Sequence, residues 1–288
     1  MANKPPTQPS SNAASRPKGS TLTGATSYSV LRLLDIPLQH AWLSTYGPGL
    51  LQYLGATALQ STTSTLASFP AASSSLLSST TGLFGLTPYH SLVFLLSIGS
   101  AAKHTWWSWS ILNYVFPIPL ASAVAGYNTG LNLINGLLSL WARSSNDPSG
   151  TSNPISATAQ TWASVLDPRA SSVPLGLALY LLGMSIEVVA ETQRKSFKSA
   201  PANRDAPFAG GLFGVVRNVN YTGYLLWRVG FAVVCAGWPM GLVVLVQQGC
   251  DFAFRAVPEM DAYCEQRYGA RWDEVRRAVP SRLIPGVY

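Results

Sequence analysis

Long runs of apolar residues alternate along this chain with shorter polar stretches, and the runs predict helices that cross a membrane. Apolar residues dominate the segments 91–102, 106–126, 128–142, 173–190 and 224–257. A helix needs about 20 apolar residues to cross the hydrocarbon layer of a bilayer. Counting runs of that order predicts an all-α fold, a polytopic transmembrane helical bundle of about six spans.

The N-terminal part divides into a polar tail, an interrupted apolar segment and a second polar stretch. Residues 1–28 are rich in Pro, Ser, Asn and Thr and have no apolar period, so we predict a disordered tail. Residues 29–59 are apolar but are broken by Pro37 and by the turn residues 47–49, which is consistent with one kinked span or with two interfacial segments. Residues 60–81 are low in complexity and predict a loop.

Charged residues interrupt the apolar runs at a few positions, and we predict that they lie at the membrane interface. Asp35 and His40 form either an ion pair or two separate head-group residues, and the second interpretation is favoured. Lys103 and His104 precede the Trp-rich segment 106–109. Because tryptophan is enriched at the head-group level, we expect this pair to be anchored there.

Polar residues inside the predicted spans are expected to face the interior of the bundle, because lipid offers them no hydrogen bonds. Asn128, Asn132 and Asn135 recur at helical spacing and share one face, which favours hydrogen bonds between helices. Arg228 lies inside the apolar segment 224–238, where an arginine requires a partner or a polar cavity.

These patterns divide the rest of the chain into two regions. Residues 29–172 form membrane helices with low-complexity and polar loops, and residues 173–288 form a C-terminal domain with a cytosolic cofactor-binding region. Within that domain Pro239 separates two apolar arms and predicts a helical hairpin. The charged tail from Pro258 predicts two short helices, separated at Gly269, that fold back over the cytosolic mouth of the bundle.

Charge is distributed unevenly along the chain. The 288 residues include 19 Lys and Arg and 12 Asp and Glu, yet charged residues are only 11% of the total. Residues 1–186 hold seven of the basic and three of the acidic residues, so most of the charge lies in the last third. Because the basic residues adjoin apolar spans, the net charge of +7 indicates membrane orientation rather than nucleic-acid binding.

No catalytic residue and no metal site can be assigned from sequence motifs. The chain has no Gly-x-Gly-x-x-Gly motif, P-loop or Ser-His-Asp set. Its three cysteines show neither a disulfide framework nor metal-ligand spacing. We therefore expect no metal and leave the catalytic residues unknown.

The segment 187–224 concentrates residues that are able to hold phosphate. Arg194 and Lys198 are four residues apart and project from one helical face. Further candidate contacts come from the following loop and from the tail: Arg217, Asn220, Tyr221, Arg267, Tyr268 and Arg282. A dinucleotide needs fixed positive donors for its phosphates, which this set would supply. The alternative is a basic rim that contacts only anionic lipid.

The same third of the chain carries an ordered set of motifs. The sequence GGLFGVVRNVNYTGY is followed by the apolar hairpin and then by DAYCEQRYGARWDEVRRAVPSRLIPGVY. Together they resemble the C-terminal domain of the steroid 5-alpha-reductase-like membrane enzymes, and they are similar to sterol C14-reductases of the lamin B receptor type. The resemblance covers roughly residues 187–288.

The resemblance implies a function and a location. Members of this group are helical membrane reductases of the endoplasmic reticulum that take hydride from NADPH and saturate a carbon–carbon double bond in a lipid. We therefore expect a multi-pass oxidoreductase of lipid metabolism that acts on CH–CH groups, with a lipid-like substrate and no nucleic-acid partner.

The resemblance also implies cofactor contacts, residue by residue. The matching positions are Arg194, Lys198, Phe213, Asn220, Tyr221, Gly223, Asp261, Cys264, Arg267 and Tyr268. Arg194 and Lys198 are expected at phosphate, and the residues from Asp261 to Tyr268 are expected to close over the cofactor.

Two departures from the family pattern keep other functions open. Tyr224 stands where the family usually has an acid, and Val275 stands where it often has a tyrosine. An aromatic residue at the first position occurs in membrane methyltransferases of the isoprenylcysteine carboxyl type, which use S-adenosylmethionine. Against that alternative, Asn220 rather than Ser precedes Tyr221. A third interpretation is a non-catalytic protein that retains the fold.

Overall fold

The computed structural model describes residues 22–54, 82–144, 161–169 and 171–288. The predicted loop at residues 60–81 and the first 21 residues of the predicted tail lie outside the described residues. Helix α1 begins at Leu22, so the last part of the predicted tail, up to residue 28, is helical instead.

Throughout the described ranges the regular structure is helical, which confirms the all-α prediction. The α-helices are α1 (Leu22–Ala41), α2 (Gly47–Tyr53), α3 (Pro88–Ser110), α4 (Ile118–Ser144), α5 (Trp162–Val165), α6 (Val173–Ser199), α7 (Val219–Asp251), α8 (Val257–Tyr268) and α9 (Ala270–Ala278). A π-helical turn at Trp42–Tyr46 joins α1 to α2, so residues 29–53 form one interrupted helical segment.

Helix α1 has its polar side inside and its apolar side outside. Arg32, Asp35 and Gln39 share the buried face, and each is at most 2% exposed. The opposite face exposes large apolar side chains, namely Val30, Leu31, Leu33, Leu34 and Leu38. A surface helix of a water-soluble protein shows the reverse distribution. The arrangement is typical of a helix surrounded by lipid.

Two segments are long and apolar enough to cross a membrane by length and composition, Val173–Ser199 and Val219–Tyr268. The predicted number of about six spans therefore remains a prediction. Helices α1, α3 and α4 carry buried polar residues such as Arg32, Lys103 and Asn132. Those residues lower the mean hydropathy of their helices without contacting the outer surface.

Helix α7 contains a reversal of the chain, which confirms the predicted hairpin. Its backbone leaves the helical region at Ala236 and Gly237, where φ at Gly237 is +73°, two residues before Pro239. The ring of Tyr221 stacks on that of Phe252 with a centroid distance of 5.0 Å. In a straight helix these residues would be about 46 Å apart.

The carbonyl groups that the break in α7 frees find a partner in α3. The Tyr89 hydroxyl donates to the carbonyl oxygens of Val234 and Cys235, at 3.0 and 3.1 Å. These residues lie in the largest apolar cluster, which also contains Tyr180 and Trp227 with ring centroids 6.0 Å apart. The core therefore lies between α3, α6 and the first arm of α7, which is the part of α7 before the break at Ala236.

Helix α6 and the first arm of α7 approach each other with their backbones in contact. A Cβ added to Gly183 would lie 2.3 Å from the backbone nitrogen of Trp227. A Cβ added to Gly223 would lie 2.7 Å from the backbone nitrogen of Glu187. Because backbone cannot move aside as a flexible side chain can, only glycine fits at these two positions.

The structure contradicts the predicted interfacial position of Asp35, Lys103 and His104. Asp35 pairs with Arg32 in the interior rather than with His40, which is partly exposed and bonds to the carbonyl of Phe84. Lys103 and His104 are 9% and 5% exposed. The hydropathy of a run records its composition, and it does not record which face of the helix a charged residue occupies.

The backbone contact between α6 and α7 generates a stability prediction. We expect Gly183→Ala to destabilise the protein by about 1–3 kcal/mol, because the added methyl group forces the two helices apart. Thermal unfolding in detergent measures the change. Gly130→Ala is the matched control, since nothing lies within 4 Å of its added Cβ, and it should change stability by no more than about 1 kcal/mol. Equal melting temperatures for both variants would contradict the prediction.

Candidate functional site

The end of α6, the connection that follows it and the tail helices meet at one end of the bundle, which we call the mouth. The Lys198 ammonium donates to the Tyr268 hydroxyl at 3.1 Å and to the carbonyl of Ala206. Arg267 donates to the Tyr263 hydroxyl at 2.7 Å and pairs with Asp205 at 3.4 Å. The tail thus packs against the end of α6.

A second group at the mouth centres on a carboxylate. Glu191 is 4% exposed and pairs with Arg194, and its other oxygen accepts a hydrogen bond from Asn220 at 3.0 Å. The Arg194 guanidinium carbon lies 5.9 Å from the centre of the Phe213 ring. The carboxylate orients both side chains and offsets part of the positive charge of Arg194.

Arg217 fixes the tail in place. It is 7% exposed and donates to the carbonyl oxygens of Val279 and Pro280 at 2.9 and 3.3 Å. Its Nε lies 3.8 Å from Asp261, whose carboxylate also accepts from the indole nitrogen of Trp272 at 3.1 Å. Burial lowers the pKa of the Arg217 guanidinium, and the Asp261 carboxylate opposes that shift. The Nη1 donor of Arg217 is therefore engaged by two carbonyl groups of the tail, and the positive charge faces Asp261.

The remaining predicted contact residues pack against other parts of the protein. Tyr221 stacks on Phe252, and Gly223 lies where α6 and α7 touch. Cys264 is buried in an apolar cluster with Trp272 and Val275. The structure thus brings Arg194, Lys198, Phe213, Asn220, Arg267 and Tyr268 to the mouth, and it places Arg217, Tyr221, Gly223, Asp261 and Cys264 among packing or structural contacts.

Beneath the mouth lies a set of buried polar residues, the interior cluster, which sequence reasoning did not identify as a site. Its first part is an ion pair between Lys103 of α3 and Glu187 of α6. The other oxygen of Glu187 accepts from the indole nitrogen of Trp227 at 2.8 Å. The presence of charged residues inside apolar runs is the signal that could have indicated it.

The second part of the interior cluster is built around Arg228, which is 3% exposed. Its Nε donates to the Tyr224 hydroxyl at 3.1 Å, and its Nη2 donates to the side-chain oxygen of Asn128. Its guanidinium carbon lies 4.2 Å from the Trp227 ring. The polar partner that the sequence analysis required for Arg228 is therefore present on α4.

The third part of the interior cluster joins α1 to α3 and α4. Arg32 pairs with Asp35 at 3.0 Å and donates to the Ser100 hydroxyl at 3.3 Å. Asp35 also accepts from the side-chain amides of Asn132 and Gln39, at 2.9 and 2.8 Å. The predicted interhelical role of the asparagines is confirmed for Asn132 and, through its bond with Arg228, for Asn128.

The mouth and the interior cluster lie one helical turn apart. Glu187 of the interior and Glu191 of the mouth are four residues apart on α6, and Tyr224 and Asn220 have the same relation on α7. One turn is about 5.4 Å along the helix axis. The nearest polar groups of the mouth and of the interior cluster are therefore one helical turn apart on both helices.

Several buried polar atoms in the interior cluster have no hydrogen-bond partner. They are Nε of Arg32, Nδ1 of His104, Oδ1 of Asn132 and Nη1 of Arg228. Buried polar atoms in folded proteins are nearly always satisfied, so such atoms point to a bound molecule or to water. Within the described residues no three His, Cys, Asp or Glu side chains are grouped so as to hold a metal ion.

The residues at the mouth fit a phosphate-bearing cofactor. Lys198 and Arg267 flank the Tyr268 ring at 4.9 and 5.5 Å, and Arg194 adjoins Phe213. Cationic donors next to aromatic rings match both parts of a nucleotide, the phosphates and the flat base. The donor set at the mouth therefore suits a ligand that carries both phosphate and a flat ring, with Lys198 and Arg194 as the cations available to the phosphate.

The contacts of Arg217 generate a prediction about the tail. We expect Arg217→Met to release the tail from the bundle, because two carbonyl groups lose their donor and Asp261 loses a neighbouring positive charge. Limited proteolysis should then cleave after residue 258 at least tenfold faster, a change of about 1.4 kcal/mol in local opening. Arg271→Met, at an exposed position of α9, is the control and should be cleaved at the same rate as the unmodified protein. An unchanged cleavage rate for Arg217→Met would show that the tail is held by other contacts.

Comparisons with known proteins extend beyond the C-terminal third. Residues 154–252 match the family described as "Protein of unknown function (DUF1295)". The chain is 30% identical over 285 residues to the "Probable O-methyltransferase ustE" of Ustilaginoidea virens, which covers 96% of this chain and 91% of that protein.

Sterol reductases match a smaller part of the chain. The "Delta(14)-sterol reductase TM7SF2" of Mus musculus is 29% identical over 40% of this chain, and the "7-dehydrocholesterol reductase" of Danio rerio is 25% identical over 32% of it. These matches cover 32% and 20% of the two reductases. The chain therefore belongs to the family of the Ustilaginoidea virens protein, within the steroid 5-alpha-reductase-like group that the residues from Glu187 onward predicted.

Proposed function

We propose that this protein is a multi-pass enzyme of the endoplasmic reticulum membrane that uses NADPH to reduce a carbon–carbon double bond in a lipid-like substrate. The observation that carries the proposal is that Glu191, which pairs with Arg194 at the mouth, lies one helical turn from Glu187 of the buried polar cluster. A cofactor bound at the mouth would face a substrate whose polar group is bound in the interior cluster.

The charges at the mouth favour NADPH over S-adenosylmethionine. Lys198 has no carboxylate within 4.0 Å among the described residues, and its donors meet only carbonyl and hydroxyl oxygens. Arg194 retains an exposed guanidinium edge, with 37% of its side chain accessible. NADPH carries several phosphate charges, which such donors bind well. S-adenosylmethionine has no phosphate and bears a sulfonium cation, so it gains little from them.

The interior cluster would position the substrate and donate a hydrogen bond to it. NADPH supplies hydride when it is bound at the mouth. The Tyr224 hydroxyl accepts a hydrogen bond from Arg228, so its own O–H proton is free to point to a substrate oxygen. The neighbouring guanidinium favours negative charge on that oxygen during reduction. In this proposal Tyr224, which stands where the family usually has an acid, donates the hydrogen bond to the substrate.

A second candidate is O-methyl transfer from S-adenosylmethionine. The specific observation that favours it is the relative named as an O-methyltransferase, which aligns with almost the whole chain. The interior cations would then hold a substrate oxygen in its nucleophilic, deprotonated form. A protein that retains the fold without turnover is the third interpretation, and the choice of cofactor separates all three.

Cofactor binding generates the first test. We expect NADPH, but not NADH, to raise the melting temperature of the purified protein, because only NADPH carries the 2′-phosphate. At about a hundredfold excess over the dissociation constant the stabilisation is about 2.7 kcal/mol. A shift with S-adenosylmethionine alone would favour methyl transfer, and no shift with any of the three would favour the non-catalytic interpretation.

Variants of one helix make the same test residue-specific. We expect Lys198→Ala to weaken NADPH binding about tenfold or more, since a charged hydrogen bond contributes about 1.5–3 kcal/mol. Lys195→Ala is the matched control, because Lys195 is an exposed lysine three residues away on α6. Lys198→Arg should retain most of the affinity. Equal weakening by both alanine variants would indicate a general charge effect rather than a phosphate site.

A further inference from the structure

We propose that Arg228 binds the anionic oxygen of an apolar organic acid, a carboxylate or a phenolate, in the interior of the bundle. The inference rests on the proposed function, since it assigns the substrate class of the same site. It goes beyond that function because reduction of a double bond requires no acidic group in the substrate.

The first step is that Arg228 is a buried cation without a counterion. Only 3% of the residue is exposed, and its hydrogen-bond partners, Tyr224 and Asn128, are both neutral. No carboxylate oxygen of the described residues lies within 4.0 Å of its guanidinium nitrogens. Removing a charge from water costs several kcal/mol unless an opposite charge or full hydrogen bonding compensates.

The second step compares Arg228 with the other buried cations of the same cluster. Arg32 pairs with Asp35, and Lys103 pairs with Glu187. Two carboxylates thus serve two cations, and the third cation, Arg228, leaves an excess of one positive charge. Ionisable residues inside a membrane bundle almost always pair with one another. A bound anion would therefore balance the excess positive charge.

The third step is that one N–H donor group of Arg228 is left without a partner. Its Nη1 is buried and has no partner, while Nε and Nη2 are both engaged. Arginine presents its N–H groups in a rigid planar fork suited to carboxylate and similar oxygens. Because Nε and Nη2 hold the fork in place, the unpaired donor is oriented before a ligand binds.

The fourth step concerns the apolar part of the ligand. The surroundings of the guanidinium are aromatic: Trp227 lies 4.2 Å and Tyr224 5.2 Å from its carbon atom. Such surroundings desolvate an anion and favour a flat, apolar body attached to it. The ligand chemistry is therefore an aromatic or aliphatic acid rather than a sugar or an amino acid.

The test uses two probes with the same ring system and different charge. Purified protein in lipid nanodiscs, without NADPH, is titrated with 2-naphthoate and with neutral 2-naphthalenemethanol while thermal unfolding is recorded. We expect 2-naphthoate to raise the melting temperature and the alcohol to leave it nearly unchanged. Equal shifts with both probes, or no shift with any acidic probe, would overturn the proposal.

Variants assign the binding to the arginine. We expect Arg228→Gln to weaken 2-naphthoate binding about tenfold or more, because the charge and the unpaired donor are lost. Arg228→Lys should retain part of the affinity. Arg255→Gln is the control on the same hairpin, since 58% of its side chain is exposed, and it should bind as the unmodified protein does. If Arg228→Gln binds 2-naphthoate as tightly as the unmodified protein does, the assignment to Arg228 is wrong. If that variant does not fold, the comparison of the two probes still decides.

Two further measurements identify the acid and separate this inference from the proposed function. 4-Nitrophenol distinguishes phenolate from carboxylate, because its phenolate absorbs visible light and that absorbance should increase on binding if phenolates are accepted. The NADPH shift should persist in Arg228→Gln, since the mouth uses other residues. If the unmodified protein shows the NADPH shift but binds no acidic probe, only this inference is defeated. If it binds 2-naphthoate but shows no NADPH shift, only the proposed cofactor is defeated.

Discussion

The contact between the backbones of α6 and the first arm of α7 determines where the polar groups of these two helices lie along the helix axes. Gly183 and Gly223 allow the two helices to touch, and this contact fixes one helix against the other in rotation and in translation. Glu187 and Glu191 then stand beside Tyr224 and Asn220 at two successive turns. The mouth and the interior cluster are therefore set by one helix pair, while α1, α3, α4 and the tail supply partners from the sides.

Burial of charge is the main cost that this architecture must offset. Asp35 and Glu187 each accept several hydrogen bonds, so two of the buried cations are compensated within the protein. Such groups contribute little to net stability. Their retention in an apolar bundle is better explained by a task that requires charge away from water, where electrostatic interactions are strong.

Part of this structure could be predicted from sequence, and the physical reason is clear in each case. The all-α fold and the hairpin at Pro239 follow from local rules, since run length and a helix-breaking residue act on near neighbours. The ion pair of Lys103 with Glu187 joins residues 84 positions apart, and no local pattern connects them. The resemblance located the mouth through Lys198 and Tyr268. It did not reveal that Arg217 donates its hydrogen bonds to the tail. That role depends on backbone carbonyl groups, which every residue has, so no sequence motif marks it.

The glycine contact also restricts how a molecule dissolved in the bilayer can reach the interior cluster. At Gly183 and Gly223 the backbones of α6 and α7 leave no space for an added methyl group, so a molecule cannot enter between the two helices there. Asn128, which accepts a hydrogen bond from Arg228, lies on α4. A molecule that approached the guanidinium along α4 would instead meet the side chains of that helix, which would then limit its size.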